Sequence, residues 1–107
     1  MKEYKVKFNK SDGTTEERKY TLINSSTVRA RSLMMKFFNI DKNGNTEFDS
    51  EFFQSLYEEE SVINDLMKSI AVGNHDDISW FDADSKTTDS ILNDFFMSFL
   101  PKTKKSS

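Results

Sequence analysis

Residues 4–22 read YKVKFNKSDGTTEERKYTL, and the fold class can be inferred from this segment outward. Apolar residues alternate with lysines over residues 4–8, which is the period-two pattern of a strand with one buried face and one wet face. Gly13 can adopt a positive φ, so the polar residues around it predict a tight turn. A second alternation over residues 18–22 predicts a second strand, antiparallel to the first. Residues 3–23 are therefore predicted to form a β-hairpin.

Helices must cover the apolar face of this hairpin, because a hairpin alone is marginal in water. The hydroxyl and amide side chains at 24–27 can cap a first helix over 27–38. A second apolar stripe runs from 48 to 57, and a third from 62 to 70. The acidic run at 58–60 either separates these two helices or lies within one continuous helix, and both interpretations stay open.

The C-terminal half contains a helix stop, a turn and a last helix. Gly73 and Asn74 predict the stop, because both residues tolerate the left-handed cap conformation. A short capped turn at 79–82 is expected to dock the rings of Trp80 and Phe81 on the core. The last helix is predicted over 87–100 and ends before a proline.

Length and composition fit one soluble domain. The chain has 107 residues, of which 36% are hydrophobic and 31% charged. Residues 1–100 are predicted to form a single α+β domain, in which an N-terminal antiparallel β-hairpin packs on three to four α-helices. Residues 101–107 are predicted to be a disordered basic tail.

Several classes of protein are excluded by composition. The sequence contains no cysteine, so disulfides and thiol chemistry are excluded. Three of the first five residues are charged and no apolar signal core follows them, while every apolar run is too short to cross a bilayer. A cytoplasmic protein without membrane association is expected.

Charge is unevenly distributed along the chain, whose net charge is −3 at pH 7. Residues 1–36 carry nine lysines and arginines against four acids, whereas residues 37–100 carry fourteen acids against three lysines. Basic and acidic faces on one small domain favour protein association over nucleic-acid binding. We therefore expect protein partners and no nucleic acid, and a homo-oligomer stays open.

The polar segment at 39–52 resembles an EF-hand calcium loop in the spacing of its Asp and Asn residues. With Asp41 at loop position 1, position 12 is Phe52. With Asn39 at position 1, position 12 is Ser50. Both registers lack the bidentate carboxylate that calcium requires. A degenerate calcium-responsive module is kept as an alternative to a solvated turn.

No other pattern predicts catalysis or a cofactor. His75 is the sole histidine and is followed by Asp76 and Asp77 in a predicted loop, so we expect it to be solvated. The serines lie in no nucleophile-elbow context, and the isolated glycines cannot form a phosphate-binding loop. The sequence predicts a protein that is not an enzyme and holds no cofactor or metal.

Large apolar side chains exceed what the interior of a small domain needs. They include four doublets, Phe37-Phe38, Phe52-Phe53, Trp80-Phe81 and Phe95-Phe96. Adjacent residues on a helix point about 100° apart, so one ring of a pair can face the core while the other reaches the edge of the apolar stripe. Part of this apolar surface is therefore expected to form a partner-binding face.

Three stretches carry a resemblance to a known family. They are Ser25-Ser26-Thr27-Val28-Arg29-Ala30-Arg31, Ile78-Ser79-Trp80-Phe81-Asp82 and Asp89-Ser90-Ile91-Leu92-Asn93-Asp94-Phe95-Phe96. In their order after a small hairpin, they resemble the tail assembly chaperones of long-tailed bacteriophages, especially those of Gram-positive hosts. The resemblance covers most of residues 3–100.

The resemblance implies a non-catalytic phage or prophage protein that acts in the host cytoplasm. Such a chaperone coats the long apolar tape measure protein, keeps it soluble and helps to recruit tail tube subunits. We expect the partner-binding residues in the first and last helices, at Met34, Met35, Phe38, Phe96 and Phe99. A small acidic interaction or inhibitor protein, which occupies a basic surface with its segment 37–100, is the alternative.

Overall fold

The structure is a computed structural model that describes residues 2–99. Its elements in chain order are β1 (Tyr4–Asn9), β2 (Thr15–Leu22), α1 (Val28–Met35), β3 (Phe38–Ile40), β4 (Thr46–Phe48), α2 (Ser50–Glu58), α3 (Glu60–Ile70), β5 (Ala71–Val72), a 3₁₀ turn (Trp80–Asp82) and α4 (Ser85–Met97). The predicted α+β fold with an N-terminal antiparallel hairpin is confirmed. The predicted helix end at 100 and the tail at 101–107 lie outside the described residues. Within residues 2–99, no helix combines the length and apolarity needed to span a lipid bilayer.

The β1–β2 hairpin has the predicted alternation. Tyr4, Val6 and Phe8 are buried, and the lysines between them are exposed. Tyr4 lies opposite Tyr20 in the antiparallel register. Gly13 has a φ of +89°, as the predicted turn requires. On its other side β2 pairs with β5, so the strand order of this sheet is β1-β2-β5.

The core lies between this sheet and helices α3 and α4. Phe8 and Tyr20 contact Trp80 with ring centroids 5.2 and 5.1 Å apart. The buried aliphatic side chains that the two helices add are Ile63, Leu66, Met67, Ile70, Ile91 and Leu92. Burying each such side chain contributes roughly 1.5–3 kcal/mol relative to leaving it in water.

The prediction of a first helix over 27–38 was wrong at its C-terminal end. The amides of Lys36 and Phe37 bond to carbonyls three residues back, which tightens the last turn before the chain becomes extended. Phe38 then begins strand β3. Val28 is 86% exposed because it lies in the first turn, outside the buried face.

The polar residues at 39–45, the first part of the calcium-like segment, are the end of a second hairpin, formed by β3 and β4. Phe38 lies opposite Phe48 in its register, so Phe48 belongs to a strand and not to the second helix. Gly44 has a φ of +82°, and its amide donates to the Asp41 carbonyl at 3.0 Å. The Asp41 side chain accepts from the backbone amides of Asn43 and Asn45, both at 2.9 Å. A polar turn therefore closes a hairpin that strand periodicity could not reveal.

The open question about the second and third helices is settled by a break at Glu59. This residue is extended, with φ −122° and ψ 113°, so α2 and α3 are separate. Its carbonyl accepts from the amides of Val62 and Ile63, and Glu59 occupies the N-cap position of α3. The last helix begins at 85 instead of 87, because the Asp84 side chain caps it by accepting from the Thr87 amide at 2.9 Å.

The helix stop predicted at Gly73 and Asn74 was also wrong. Helix α3 ends at Ile70, and Ala71 is already extended. Gly73 is needed for space, since a Cβ there would lie 2.5 Å from Tyr20 Cδ1 and 2.8 Å from the Lys19 carbonyl oxygen. The glycine lets the chain pass directly beside the Tyr20 ring.

A polar contact joins the hairpin to α4. The Tyr4 hydroxyl donates to Asp94 Oδ2 at 2.5 Å, and Lys2 Nζ donates to the same oxygen at 3.0 Å. These two groups, the Tyr4 hydroxyl first, lower the pKa of the Asp94 carboxyl. The carboxylate therefore stabilises the docking of β1 on α4 when it is charged.

Replacing Gly73 with alanine should lower the free energy of unfolding by about 1–3 kcal/mol, because the added methyl group overlaps the Tyr20 ring. Urea denaturation followed by Trp80 fluorescence measures the change. The matched control is Val72→Ala on the exposed neighbouring residue, for which we expect a change of about 0.5 kcal/mol or less. Equal effects at the two positions would contradict the steric role of Gly73.

Asp94→Asn should destabilise the protein by about 1 kcal/mol at neutral pH, because the charge that accepts from Tyr4 and Lys2 is removed. The pKa of Asp94 is lower in the folded than in the unfolded chain, so its contribution is full above the unfolded pKa of about 4 and disappears as the pH falls through the folded value. In thermal melts from neutral to acid pH, the melting temperatures of the parent protein and Asp94→Asn should converge at the acid end. Asp76→Asn, at an exposed position, is the control, and a constant gap at every pH would count against this linkage.

Candidate protein-binding site

Five aromatic side chains from three parts of the chain form one connected surface, the aromatic face. Its members are Phe38, Phe48, Phe53, Tyr57 and Phe96. The Phe48 ring lies at its centre, with ring centroids 6.0 Å from Phe38, 5.7 Å from Phe53 and 6.2 Å from Phe96. Tyr57 continues the face beyond Phe53 at 5.6 Å. Phe48 is 47% exposed and Tyr57 45%, so the face is open to solvent.

The aromatic face is fixed to the core from below. Phe96 contacts the fully buried Phe37 with ring centroids 4.6 Å apart, and Phe37 contacts Phe52 at 5.0 Å. Asp49, directly after β4, caps α2 by accepting from the Phe52 amide at 3.0 Å. The short passage from strand to helix therefore sets the position of Phe48 relative to the α2 rings.

A cavity of about 430 Å³ lies beside the aromatic face, between α2 and α4. Its lining residues are Phe53, Tyr57, Asp89, Leu92, Asn93 and Phe96. At its mouth the Tyr57 hydroxyl donates to Asp89 Oδ1 at 2.6 Å. Burial and the Asp89 carboxylate raise the pKa of Tyr57, so the phenol stays protonated and keeps donating. The cavity thus has an apolar floor and a polar, anionic mouth.

A second cavity of about 280 Å³ adjoins Tyr57 on its other side, where Phe81, Ser85 and Thr88 contribute to the lining. The prediction that Trp80 and Phe81 both dock on the core was half wrong. Trp80 is buried, but Phe81 is 45% exposed because the 3₁₀ turn directs adjacent side chains in different directions. Tyr57 belongs to the lining of both cavities, and we call the two together the α2–α4 groove.

The structure places some of the predicted partner-binding residues on the aromatic face and the others elsewhere. Phe38 and Phe96 belong to the aromatic face and both approach Phe48. Phe99 is half-buried against Phe95 at 5.1 Å, Met34 is half-buried against the core, and Met35 is 47% exposed at the end of α1. These three residues make no ring contact with Phe48 among the described residues.

Sequence reasoning missed that three residues, Phe48, Phe53 and Tyr57, meet on the aromatic face. It placed all three on one helical stripe, from which the buried and exposed members could not be separated. No local signal identified them, because an apolar residue between two charged ones can equally be buried on a strand, as Val6 is between Lys5 and Lys7.

The groove lies in the acidic part of the chain. Residues 45–60 contain no lysine or arginine and six acids, which are Glu47, Asp49, Glu51, Glu58, Glu59 and Glu60. Helix α4 adds Asp89 in the cavity lining, whereas its Asp94 is paired with Lys2 and Tyr4 on the β1 side. The field around the aromatic face is therefore negative.

His75 is not the solvated loop residue that the sequence predicts. Trp80 Nε1 donates to His75 Nδ1 at 3.1 Å, and His75 Nε2 lies 2.7 Å from the Ala71 carbonyl oxygen. A carbonyl only accepts, so the proton is on Nε2 and the neutral ring links the 3₁₀ turn to the end of α3. Its ring also lies 5.0 Å from that of Tyr20, which gives His75 a structural role.

The residues of the calcium-like segment form a turn between strands, whereas an EF-hand loop lies between helices. Hydrogen bonds from Asn45 and Asn43 lower the pKa of Asp41 and direct its carboxylate toward the backbone of its own turn. Across the described part of the chain, no group of three or more His, Cys, Asp or Glu residues could hold a metal ion.

Comparison of the chain with protein-family models, curated proteins and solved structures finds no match.

Adding calcium to millimolar concentration should leave the amide resonances of residues 39–52 unchanged, because the Asp41 carboxylate already accepts from its own turn. NMR titration measures this directly. Asp41→Ala should lower the melting temperature equally with and without calcium, whereas Asp41→Asn retains an acceptor and should melt nearer the parent. If calcium shifts these amide resonances saturably and the Asp41→Ala substitution abolishes the shifts, the segment is a calcium-responsive module after all.

Proposed function

We propose that this protein is a non-catalytic chaperone of phage tail assembly, which binds apolar segments of the tape measure protein through its aromatic face and helps to recruit tail tube subunits in the host cytoplasm. The observation that carries the proposal is the exposed set of connected rings around Phe48, next to an open groove in an acidic body. The choice of client comes from the resemblance to the tail assembly chaperones.

The properties of the aromatic face support a role in holding an unassembled client. Large exposed aromatic rings bury apolar surface on contact and lose little conformational freedom, because each has two rotatable bonds. Phe37 anchors the face beneath Phe96, so it stays formed when no client is bound. The negative charge around the face keeps the complex in solution.

The same arrangement favours a chaperone over an acidic inhibitor. An inhibitor that occupies a basic surface needs its carboxylates at the centre of contact, with apolar groups at most around them. Here the rings of Phe48, Phe53 and Phe96 lie together, and the acids are in the segments that flank them in the sequence.

Phe48→Asp should release the client from the soluble fraction, because it places a charge at the centre of the aromatic face. Co-expression with a tape measure protein, followed by separation of soluble and insoluble material, measures the effect. Val28→Asp is the matched control, since Val28 is exposed on α1 and the same charge is added there. Position 48 is better suited than position 96, because Phe96 packs on the buried Phe37 and a charge there would disturb the core.

Circular dichroism and thermal melts of both variants establish that each retains the fold. Equal amounts of soluble client with the parent protein, Phe48→Asp and Val28→Asp would contradict the proposed binding face. A client that is insoluble with the parent protein would contradict the chaperone function itself.

A further inference from the structure

We propose that the α2–α4 groove binds one amphipathic α-helix of the client, with two apolar side chains in the two cavities and lysine or arginine residues over the surrounding acids. The inference rests on the proposed function for its choice of a protein client. It adds the chemistry of the segment that the client must present.

The shape of the groove selects a helix. Helix α4 contributes one set of lining residues to the first cavity and another set to the second. The centres of the two sets are about six positions apart, which corresponds to about 9 Å along the helix axis. Two side chains at i and i+7 of a bound helix are about 10.5 Å apart, and those at i and i+4 about 6 Å. The i and i+7 pair is the closer match, so the two anchors lie two turns apart on one face of the bound helix.

An extended segment would bind differently, by adding a strand to a sheet edge. The outer edge of β1 is engaged by the chain itself, because the Asp84 amide donates to the Lys7 carbonyl at 2.8 Å and Phe8 pairs with Ala83. The exposed apolar surface is on the side of α2 and α4, where Tyr57 separates the two cavities.

Charge complementarity selects a basic segment. The flanking stretch 45–60 carries six acids and no basic residue, and Asp89 is exposed at the mouth of the groove. Asp89 Oδ1 already accepts from Tyr57, but a carboxylate has about four acceptor sites and can take a lysine or guanidinium donor as well. Phosphate-bearing partners such as nucleic acids or anionic lipids would be repelled by the same field.

The test uses the full chain and three designed helical peptides of about 18 residues, a length at which an isolated helix begins to be stable. The first has leucines at i, i+4 and i+7 in an alanine and lysine background. The second carries glutamate in place of every lysine, and the third carries alanine in place of the leucines at i and i+7. Isothermal titration gives the affinities, and NMR shifts locate the contact.

We expect the leucine-lysine peptide to bind and to shift resonances of α2, α4 and Phe81. The glutamate peptide and the alanine peptide should each bind at least about tenfold more weakly. Asp89→Lys should weaken the leucine-lysine peptide about tenfold, whereas Asp76→Lys makes the same charge change in the loop after Gly73 and should leave the affinity unchanged. Phe81→Ala, at an exposed side chain, tests the second cavity and should also weaken binding.

Equal affinity for the lysine and glutamate peptides, or an Asp89→Lys variant that binds as well as Asp76→Lys, would overturn the inference. Self-association of the parent chain in sedimentation that Asp89→Lys abolishes would assign the groove to a second copy and would overturn it too. If the leucine-lysine peptide binds as expected while a co-expressed tape measure protein stays insoluble, the groove inference holds and the chaperone proposal fails. If the client is soluble but the leucine-lysine peptide does not bind, the chaperone proposal holds and the groove inference fails.

Discussion

The packing around the Tyr20 ring joins the sheet to the segment after α3 and to the 3₁₀ turn. Gly73 leaves room for this ring, and Phe8, His75 and Trp80 surround it. Its hydroxyl donates to the Asn74 carbonyl at 2.5 Å, which holds the segment after α3 against β2. That segment leads into the 3₁₀ turn, after which the Asp84 amide bonds to β1 and α4 begins. The position of α4, and hence of the groove beside it, follows from how the chain passes Tyr20.

The aromatic residues form two groups with different exposure. The inner group around Tyr20 and Trp80 is buried, because it joins the sheet to α3. The outer group around Phe48 rests on this core through Phe37, and within residues 2–99 its Phe48 and Tyr57 rings remain about half exposed. A domain of this length has a limited interior, so the outer rings contribute to stability with one side and leave the other in water. Such a surface is pre-organised for contact, which reduces the entropy lost on binding.

The first hairpin could be predicted because strand alternation and the turn at Gly13 agree. The second hairpin could not, because its strands have three residues each and the Phe37-Phe38 doublet also fits a helix. Its turn, Asp41–Asn45, has glycine at the fourth position, as does the turn of the first hairpin, Lys10–Thr14. This shared glycine position was the available signal for a second hairpin. Gly73 was misjudged because sequence does not distinguish a glycine needed for φ from one needed for space. Phe38 and Phe96 were predictable as surplus apolar residues, but their meeting at Phe48 depends on tertiary packing.

The acids around the aromatic face have a consequence for the protein at high concentration. An open apolar surface on a small domain ordinarily promotes aggregation between identical molecules. Two copies that approach through this surface bring their carboxylates together, and the repulsion acts before the rings touch. This colloidal barrier depends on ionic strength, because dissolved salt shortens the range of the repulsion. The charges thereby discourage homotypic contact and leave the rings accessible to a cationic ligand.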